Sequence, residues 1–439
     1  MTDSLTLPAA APAGGIPRPA GLPRLLPAAG TVPVDLRAHL GRHGPLRYAG
    51  APGRLVAEVA AAGLTGRGGA AFPVARKLAA AAEASPAPLV AGNGAESEPA
   101  SSKDRSLLWI SPHLVLDGLQ LAAEAAGSGS AVLYVRRNER LHGRLAQAIA
   151  ERAAAGIDAV RVDLVPAPDR FLAGQESALT SRLTGKPALP AYRPVRGLPR
   201  LAPGRPALVQ NVETLAHLAL IARYGPRWFR ALGTDTEPGS MLTTVHQANG
   251  TSQVIEVEIG TPLRTLLASQ PQGAEAQALL IGGYHGAWLP MAQAAPLTLD
   301  NATLSQRGAA IGAGVIAALP ADRCGLVEAA RVARYLAVES AGQCGPCLNG
   351  LPRMAAGLAE LARRGHRRQV RADLERWAGL VTGRGACNHP DGTVRFVASA
   401  LTVFAPEIAV HARGHCSATN RRPFLLLPDG MPTTEDDWI

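Results

Sequence analysis

Cysteine is scarce in this chain: five among 439 residues, too few and too odd a number to staple a secreted scaffold. Aromatic residues are only 4%, so alanine, glycine (47) and proline (36) do much of the filling. No apolar run approaches the ~20 residues a membrane helix needs. The longest stretch free of polar side chains, 308–321, holds three glycines and a proline. The N-terminus has no basic head followed by unbroken apolar sequence, because Pro8, Pro12 and Pro17 interrupt it. No secretory leader and no direct membrane span are expected, and the chain reads as soluble and cytoplasmic, or peripheral to a membrane complex. Despite a net charge of +10, the arginines are scattered and no basic stripe carries interleaved aromatics, so nucleic acid is not an expected partner.

A hydrophobic fraction of 47% against 18% charged residues suffices for packed cores, and the length suits about three domains. Residues 1–30 are rich in proline, alanine and glycine without apolar period, and are expected to form a disordered tail. From about 55 to 165, helix-like segments (55–62, 112–126, 141–155) alternate with short β-rich runs (88–91, 131–135, 160–165), which argues for a parallel α/β layer. Further on, Ile255, Val257 and Ile259 alternate with Glu256 and Glu258 as in a half-buried strand. A turn at 260–262 and an apolar run at 278–281 extend this into a small α+β domain of β-grasp size. Beyond Cys324 the period is helical: Leu351, Met354, Leu358 and Leu361, then Val394, Val397, Leu401 and Phe404. With helices near 325–340 and 369–382, a four-helix bundle follows. The expected boundaries are 31–235, 236–320 and 321–418, with a C-terminal tail over 419–439.

Three motifs could carry chemistry. Gly63-Leu64-Thr65-Gly66-Arg67-Gly68-Gly69 offers backbone that can approach a phosphate closely, with Arg67 and Lys77 as added charge. Asn93-Gly94-Ala95-Glu96-Ser97-Glu98 follows a β-rich run, the place where parallel sheets bind ligands, although a solvated acidic loop would look the same. Cys344-Gly345-Pro346-Cys347, Cys387 and Cys416 gather in the last hundred residues. A CxxC pair serves either as metal or iron–sulfur ligands or as a dithiol redox couple. A redox fold would place it after a core strand; here a helical segment precedes it and two more cysteines follow, which favours a cluster. Cys324 has no partner at useful spacing and reads as a small buried apolar residue. His389 reads as part of a polar turn, with a ligand role as the alternative.

In the order GLTGRGGAAFP, NGAESEPASSKDR, FLAGQESAL, ALVQNVETL, IGTPLRTLL and ESAGQCGPC, these motifs resemble the NADH-binding flavoprotein subunit of respiratory complex I and its relatives in NAD-linked hydrogenases and formate dehydrogenases. The likeness spans about residues 55 to 410. It implies a Rossmann-like FMN domain, a β-grasp domain and a helical iron–sulfur bundle. By resemblance Gly66, Arg67, Gly68, Gly69, Lys77, Asn93, Glu96, Glu176, Asn211 and Thr214 line FMN, Phe72 stacks near the nicotinamide and Glu98 contacts NADH. NADH is the implied substrate, and FMN and a 4Fe–4S cluster are the implied cofactors. A ferredoxin-like or thioredoxin-like iron–sulfur protein is the implied partner.

The chain departs from that family pattern at several points. Ala95 replaces an aspartate, Gln175 a glutamate, Phe171 a tyrosine and Gln210 an asparagine. Ala341 stands where the first cluster cysteine belongs, leaving Cys344, Cys347 and Cys387. Three thiolates suit a 3Fe–4S cluster, or a fourth ligand from elsewhere; Cys416 is the expected candidate. Two other functions remain open: a homologue kept as a binding or assembly subunit, and a thiol–disulfide enzyme using Cys344 and Cys347.

Overall fold

The computed structural model describes residues 21–27, 32–46, 52–192, 197–201, 204–268, 275–365, 367–428 and 435–439. Two sheets and a group of C-terminal helices make up the molecule. The first sheet is four-stranded and parallel, with β1 (Leu89–Gly94), β2 (Ala131–Arg136), β3 (Val162–Ala167) and β4 (Ala207–Asn211) in the order β3-β2-β1-β4. Strands β1 and β2 read as continuous apolar runs because helices cover both faces, as parallel sheets require. Helix Pro112–Ala125 packs on one face, its proline at the first helical turn and nearly every residue buried. The expected helices and strands of this region are all present within a few residues.

The second sheet holds β5 (Ser240–His246), β6 (Ser252–Glu258), β7 (Ala276–Ile281), β8 (Ala287–Pro290) and β9 (Val315–Pro320) in the order β6-β5-β9-β7-β8. Only the β5–β9 pair is parallel. The long apolar stretch 308–321 thus supplies the central strand β9. Helices Gly325–Val338, Leu351–Leu361, Val370–Val381 and His389–Val403 then pack around Leu336, Leu358, Leu374 and Phe396, with Ala405–Ala412 added at the end. No single helix among the described residues is long and apolar enough to cross a membrane.

The expected disorder of residues 1–30 needs correction where they are described. Residues 1–20 and 28–30 lie outside the described residues, but 21–27 are docked. Arg24 and Leu25 are buried, and the Arg24 guanidinium donates to the carbonyls of Phe229 (3.1 Å) and Trp228 (3.0 Å) while lying 3.9 Å over the Trp228 ring. At the other end Leu425 and Trp438 are buried, and the Leu425 amide donates to Glu328 at 2.9 Å. A few buried side chains and their hydrogen bonds anchor these short segments, and low overall apolar period conceals them.

Candidate flavin and cluster sites

Strand order reverses between β1 and β4, which lead in opposite directions across the sheet, and their carboxyl ends open a crevice. Asn93 and Asn211 sit side by side there in register. Asn93 Nδ2 donates to the Gly174 carbonyl at 2.8 Å. Asn211 caps helix Val212–Tyr224, its side-chain oxygen accepting from the Glu213 amide. The glycine loop closes over this helix start: the Arg67 amide donates to Thr214 Oγ1 at 2.8 Å, and a Cβ at Gly68 would lie 3.3 Å from the Asn211 Cβ. Lys77 Nζ reaches across to Glu176 Oε1 (2.5 Å) and the Val209 carbonyl (2.8 Å). Gly68, Lys77, Asn93, Glu176, Asn211 and Thr214 therefore gather at one crevice, whereas Gly66 and Gly69 of the same loop lie against Phe72 and Gly312.

Such a crevice fits a flavin mononucleotide. Backbone without side chains and a helix N-terminus suit a phosphate, and carboxamides and the Lys77–Glu176 pair suit the ring. Arg67 is drawn inward, donating to Thr65 Oγ1 and the Pro238 carbonyl, and burial lowers its pKa. Phe72 stands 49% exposed on the loop, with the Arg76 guanidinium 5.7 Å from its ring centre.

The two acidic residues of the following loop take backbone amides. Glu96, in a left-handed conformation (φ 41°), accepts from the amides of Asp104 (2.8 Å) and Arg105 (3.1 Å) and so caps helix Lys103–Ile110. Glu98 spans the two sheets: it accepts from the Ala100 amide at 3.2 Å and, in the second sheet's turn, from the Tyr284 amide at 2.8 Å. Burial pushes its carboxyl up to about 7, opposed by those two amides. Gly283 makes the approach possible, since its φ is +88° and a Cβ there would lie 2.5 Å from Glu98.

Beneath the crevice lies a charge triad that motif reading missed. Lys103 Nζ sits between Asp104 (2.7 Å) and Glu213 (2.8 Å), all three buried. Asp104 in turn accepts from Asn211 Nδ2 at 2.7 Å, orienting that carboxamide. Burial opposes the Glu213 charge, but Lys103 and His217 hold its pKa down at about 2. All three residues belong to recognised motifs, yet only their burial identifies them as a unit.

The departures from the family pattern have local explanations. Gln175 Oε1 caps helix Glu176–Leu183 by accepting from the Ser177 and Ala178 amides. Ala95 packs in an apolar cluster with Tyr134 and Val209. Phe171 lies edge-on to His285, ring centres 4.7 Å apart, in a junction that also holds Tyr335 and His389. For Gln210, buried with Nε2 lacking a hydrogen-bond partner among the described residues, nothing in the structure explains the change.

No disulfide joins any of the five cysteines. Cys344, Cys347 and Cys387 converge where a one-turn π-helix (Pro346–Gly350) opens helix Leu351–Leu361. Burial raises the Cys344 pKa, but the Ala386 and Cys347 amides outweigh it and hold the thiol below its ordinary value. Burial and its two neighbours push Cys347 up to about 12. Three close thiols facing backbone amides fit an iron–sulfur cluster. His389 supplies no ligand: it is buried at a helix start, with one ring nitrogen 2.8 Å from the Leu336 carbonyl and the other 2.9 Å from His285.

Cys416 does not join these thiols. Its sulfur lies within 4.8 Å of ligand atoms of Cys324, Glu407 and His411, so the expected fourth cluster ligand is corrected. Cys324, read as a partnerless apolar residue, is corrected with it.

Residues 59–220 match the family described as the Nuo51 FMN-binding domain, and 328–411 match the NADH-ubiquinone oxidoreductase-F iron–sulfur binding region. The F 2 subunit of NADH-quinone oxidoreductase from Rhizobium meliloti is 29% identical over 390 residues, covering 82% of this chain and 89% of the relative. The F subunit of the same enzyme from Streptomyces coelicolor is 29% identical over 406 residues, covering 86% and 87%. A crystal structure of an NAD+-reducing NiFe hydrogenase in the H2-reduced state superposes with TM-score 0.76 at 28% identity. That match covers 83% of this chain, which spans 64% of the longer hydrogenase chain. Two regions of this chain, in order, thus match the FMN-binding and iron–sulfur-binding regions of this family, and the chain is similar over most of its length to F subunits of NADH-quinone oxidoreductases.

Proposed function

We propose that this chain is an NADH-oxidising flavoprotein that passes electrons singly to an iron–sulfur cluster and then to a partner carrier. The convergence of the glycine loop, Lys77, Asn93 and the Thr214 helix start on one switch-point crevice is the observation that carries this reading. A flavin mononucleotide held there would supply two-electron oxidation of NADH and one-electron release to a cluster. The protein's part is positioning. Gly66–Gly69 and the amides of helix Val212–Tyr224 hold the phosphate, and Lys77 and Glu176 hold the ring side. Asn93 and Asn211 fix the ring edge, and Glu96 keeps its loop in place by capping the next helix. Phe72 offers the exposed face for the nicotinamide, and Glu98 lines the dinucleotide's path between the two sheets.

The layers divide at 31–235, 236–320 and 321–418, the middle one a β-grasp and the last a cluster-binding helical bundle. Cys344, Cys347 and Cys387 would hold the cluster, and with Ala341 in place of a cysteine its fourth ligand would be a group other than cysteine or none. The acceptor is an acidic iron–sulfur protein of ferredoxin-like or thioredoxin-like type, attracted by the net charge of +10.

Anaerobically purified protein should show a flavin band that NADH bleaches, and Lys77→Ala should lose it without losing iron. A brown protein without flavin would overturn NADH oxidation. A protein lacking both chromophores would favour the assembly-subunit reading, for which Ala341 is the supporting observation. A reversible Cys344–Cys347 disulfide in an iron-free protein would favour dithiol chemistry instead.

A further inference from the structure

We propose that Cys324, Glu407, His411 and Cys416 form a second metal centre, a mononuclear zinc site that ties the C-terminal segment to the helical layer. Their ligand atoms all lie within 4.8 Å of one another. The Cys324 sulfur is 3.6 Å from His411 Nε2, which is 3.1 Å from Glu407 Oε1; sulfur and carboxylate are 4.0 Å apart. With zinc bonds of about 2.3 Å to sulfur and about 2.0 Å to nitrogen or oxygen, the edges of a tetrahedron measure about 3.3–3.8 Å. The four side chains therefore stand close to coordination geometry. That spacing suits one ion and is too tight for thiolates on the corners of a polynuclear iron cluster.

Local structure converges on this arrangement from three directions. Cys324 is the N-cap residue of helix Gly325–Val338, but its side chain makes no capping bond. Glu407 and His411 are four residues apart on helix Ala405–Ala412, hence on one face. That helix ends in a Schellman turn: the His415 amide donates to the Val410 carbonyl and the Gly414 amide to His411, with Gly414 at φ +88°. The reversal carries Cys416 back onto the face of His411. His411 is 1% exposed and its Nδ1 has no hydrogen-bond partner among the described residues, so this cluster alone engages its ring.

The chemistry selects the ion. Two thiols, an imidazole and a carboxylate form a mixed soft and borderline set that suits zinc and is poor for calcium or magnesium. Four protein ligands leave no open position, which marks a structural rather than catalytic centre. Two thiolates and a carboxylate around Zn2+ leave one net negative charge. Arg323, Arg364, Arg421 and Arg422 line the cleft beside the site and offset it. Binding releases the thiol protons to solvent and involves no redox step. The centre would clamp residues 416–422, whose Thr419 and Asn420 amides already donate to the Asp322 carbonyl, against the start of the first helix of this layer.

The test is elemental analysis of the full chain, with zinc and iron counted separately. About one zinc per chain is expected in addition to iron, as for a closed structural site. Cys416→Ser and His411→Ala should lose the zinc and keep the iron, whereas Cys344→Ser should do the reverse. Because variants can misfold, wild-type protein stripped of zinc is also titrated with Co2+, which should give sulfur-to-cobalt absorption saturating near one equivalent. Wild-type protein with neither zinc nor cobalt uptake, or with a native Cys324–Cys416 disulfide, would overturn the proposal. Failure of the flavin and iron reading would leave the zinc count untouched.

Discussion

Single buried charges decide much at the residue scale. Glu98 binds its proton more tightly folded than unfolded, because its carboxyl rises from 4.5 to about 7 on burial. Its contribution to stability is therefore complete below about 4.5 and is lost as pH rises through about 7. Relative to Glu98→Gln, the natural protein should lose on the order of 1–3 kcal/mol between about pH 4 and pH 8, read by urea unfolding at each pH. Equal pH slopes for the two proteins would sink this assignment. Lys103 behaves differently, because it neutralises Asp104 and Glu213 in a dry site. Lys103→Ala leaves two carboxylates stranded and should cost about 3–5 kcal/mol, with flavin content falling as Asn211 loses its anchor. Denaturant titration and flavin absorbance check the two parts separately.

At the scale of elements, the segment 21–27 shows how a strand's apparent polar face can be covered. Glu256 reads as the solvent side of an alternating strand. In the fold it accepts from the amides of Arg24 (2.7 Å) and Leu25 (2.8 Å), and burial raises its pKa. Arg24→Ala removes two charge-assisted hydrogen bonds and a cation–π contact, and should lower stability by about 2–4 kcal/mol. Limited proteolysis should then cut near residue 24, and an unchanged digestion pattern would show that this docking is dispensable. Amphipathic helices and the alternating strand β6 were legible because period alone marks them. Strands β5 and β9 were not: buried on both faces, they carry no alternation. The glycine loop and the cysteine spacing were legible as motifs, since backbone approach and thiol ligation need fixed residue types. The triad at Lys103 and the set at Cys324 stayed hidden, because they join residues 110 and 87 positions apart.

Across the whole molecule, the three layers meet at one aromatic point. Phe171 comes from the first, His285 from the turn of the second sheet, and Tyr335 and His389 from the helices. Burial and the neighbouring His389 and Arg395 hold the His285 pKa far below its ordinary value, which favours its neutral ring at this junction. Apolar and neutral contacts shared by three layers couple their unfolding. Calorimetry of the full chain should show one endotherm whose van't Hoff and calorimetric enthalpies agree; separate melting of the helical layer would contradict this.

That junction also bears on how such a chain can change over generations. A layer that shares its core with two others cannot be exchanged like a bead on a string, because removing it leaves Phe171 and His285 facing water. Recombination between relatives would succeed only where the exchanged piece brings its share of this seam. The natural crossover points are then the exposed loops away from it, not the layer boundaries themselves.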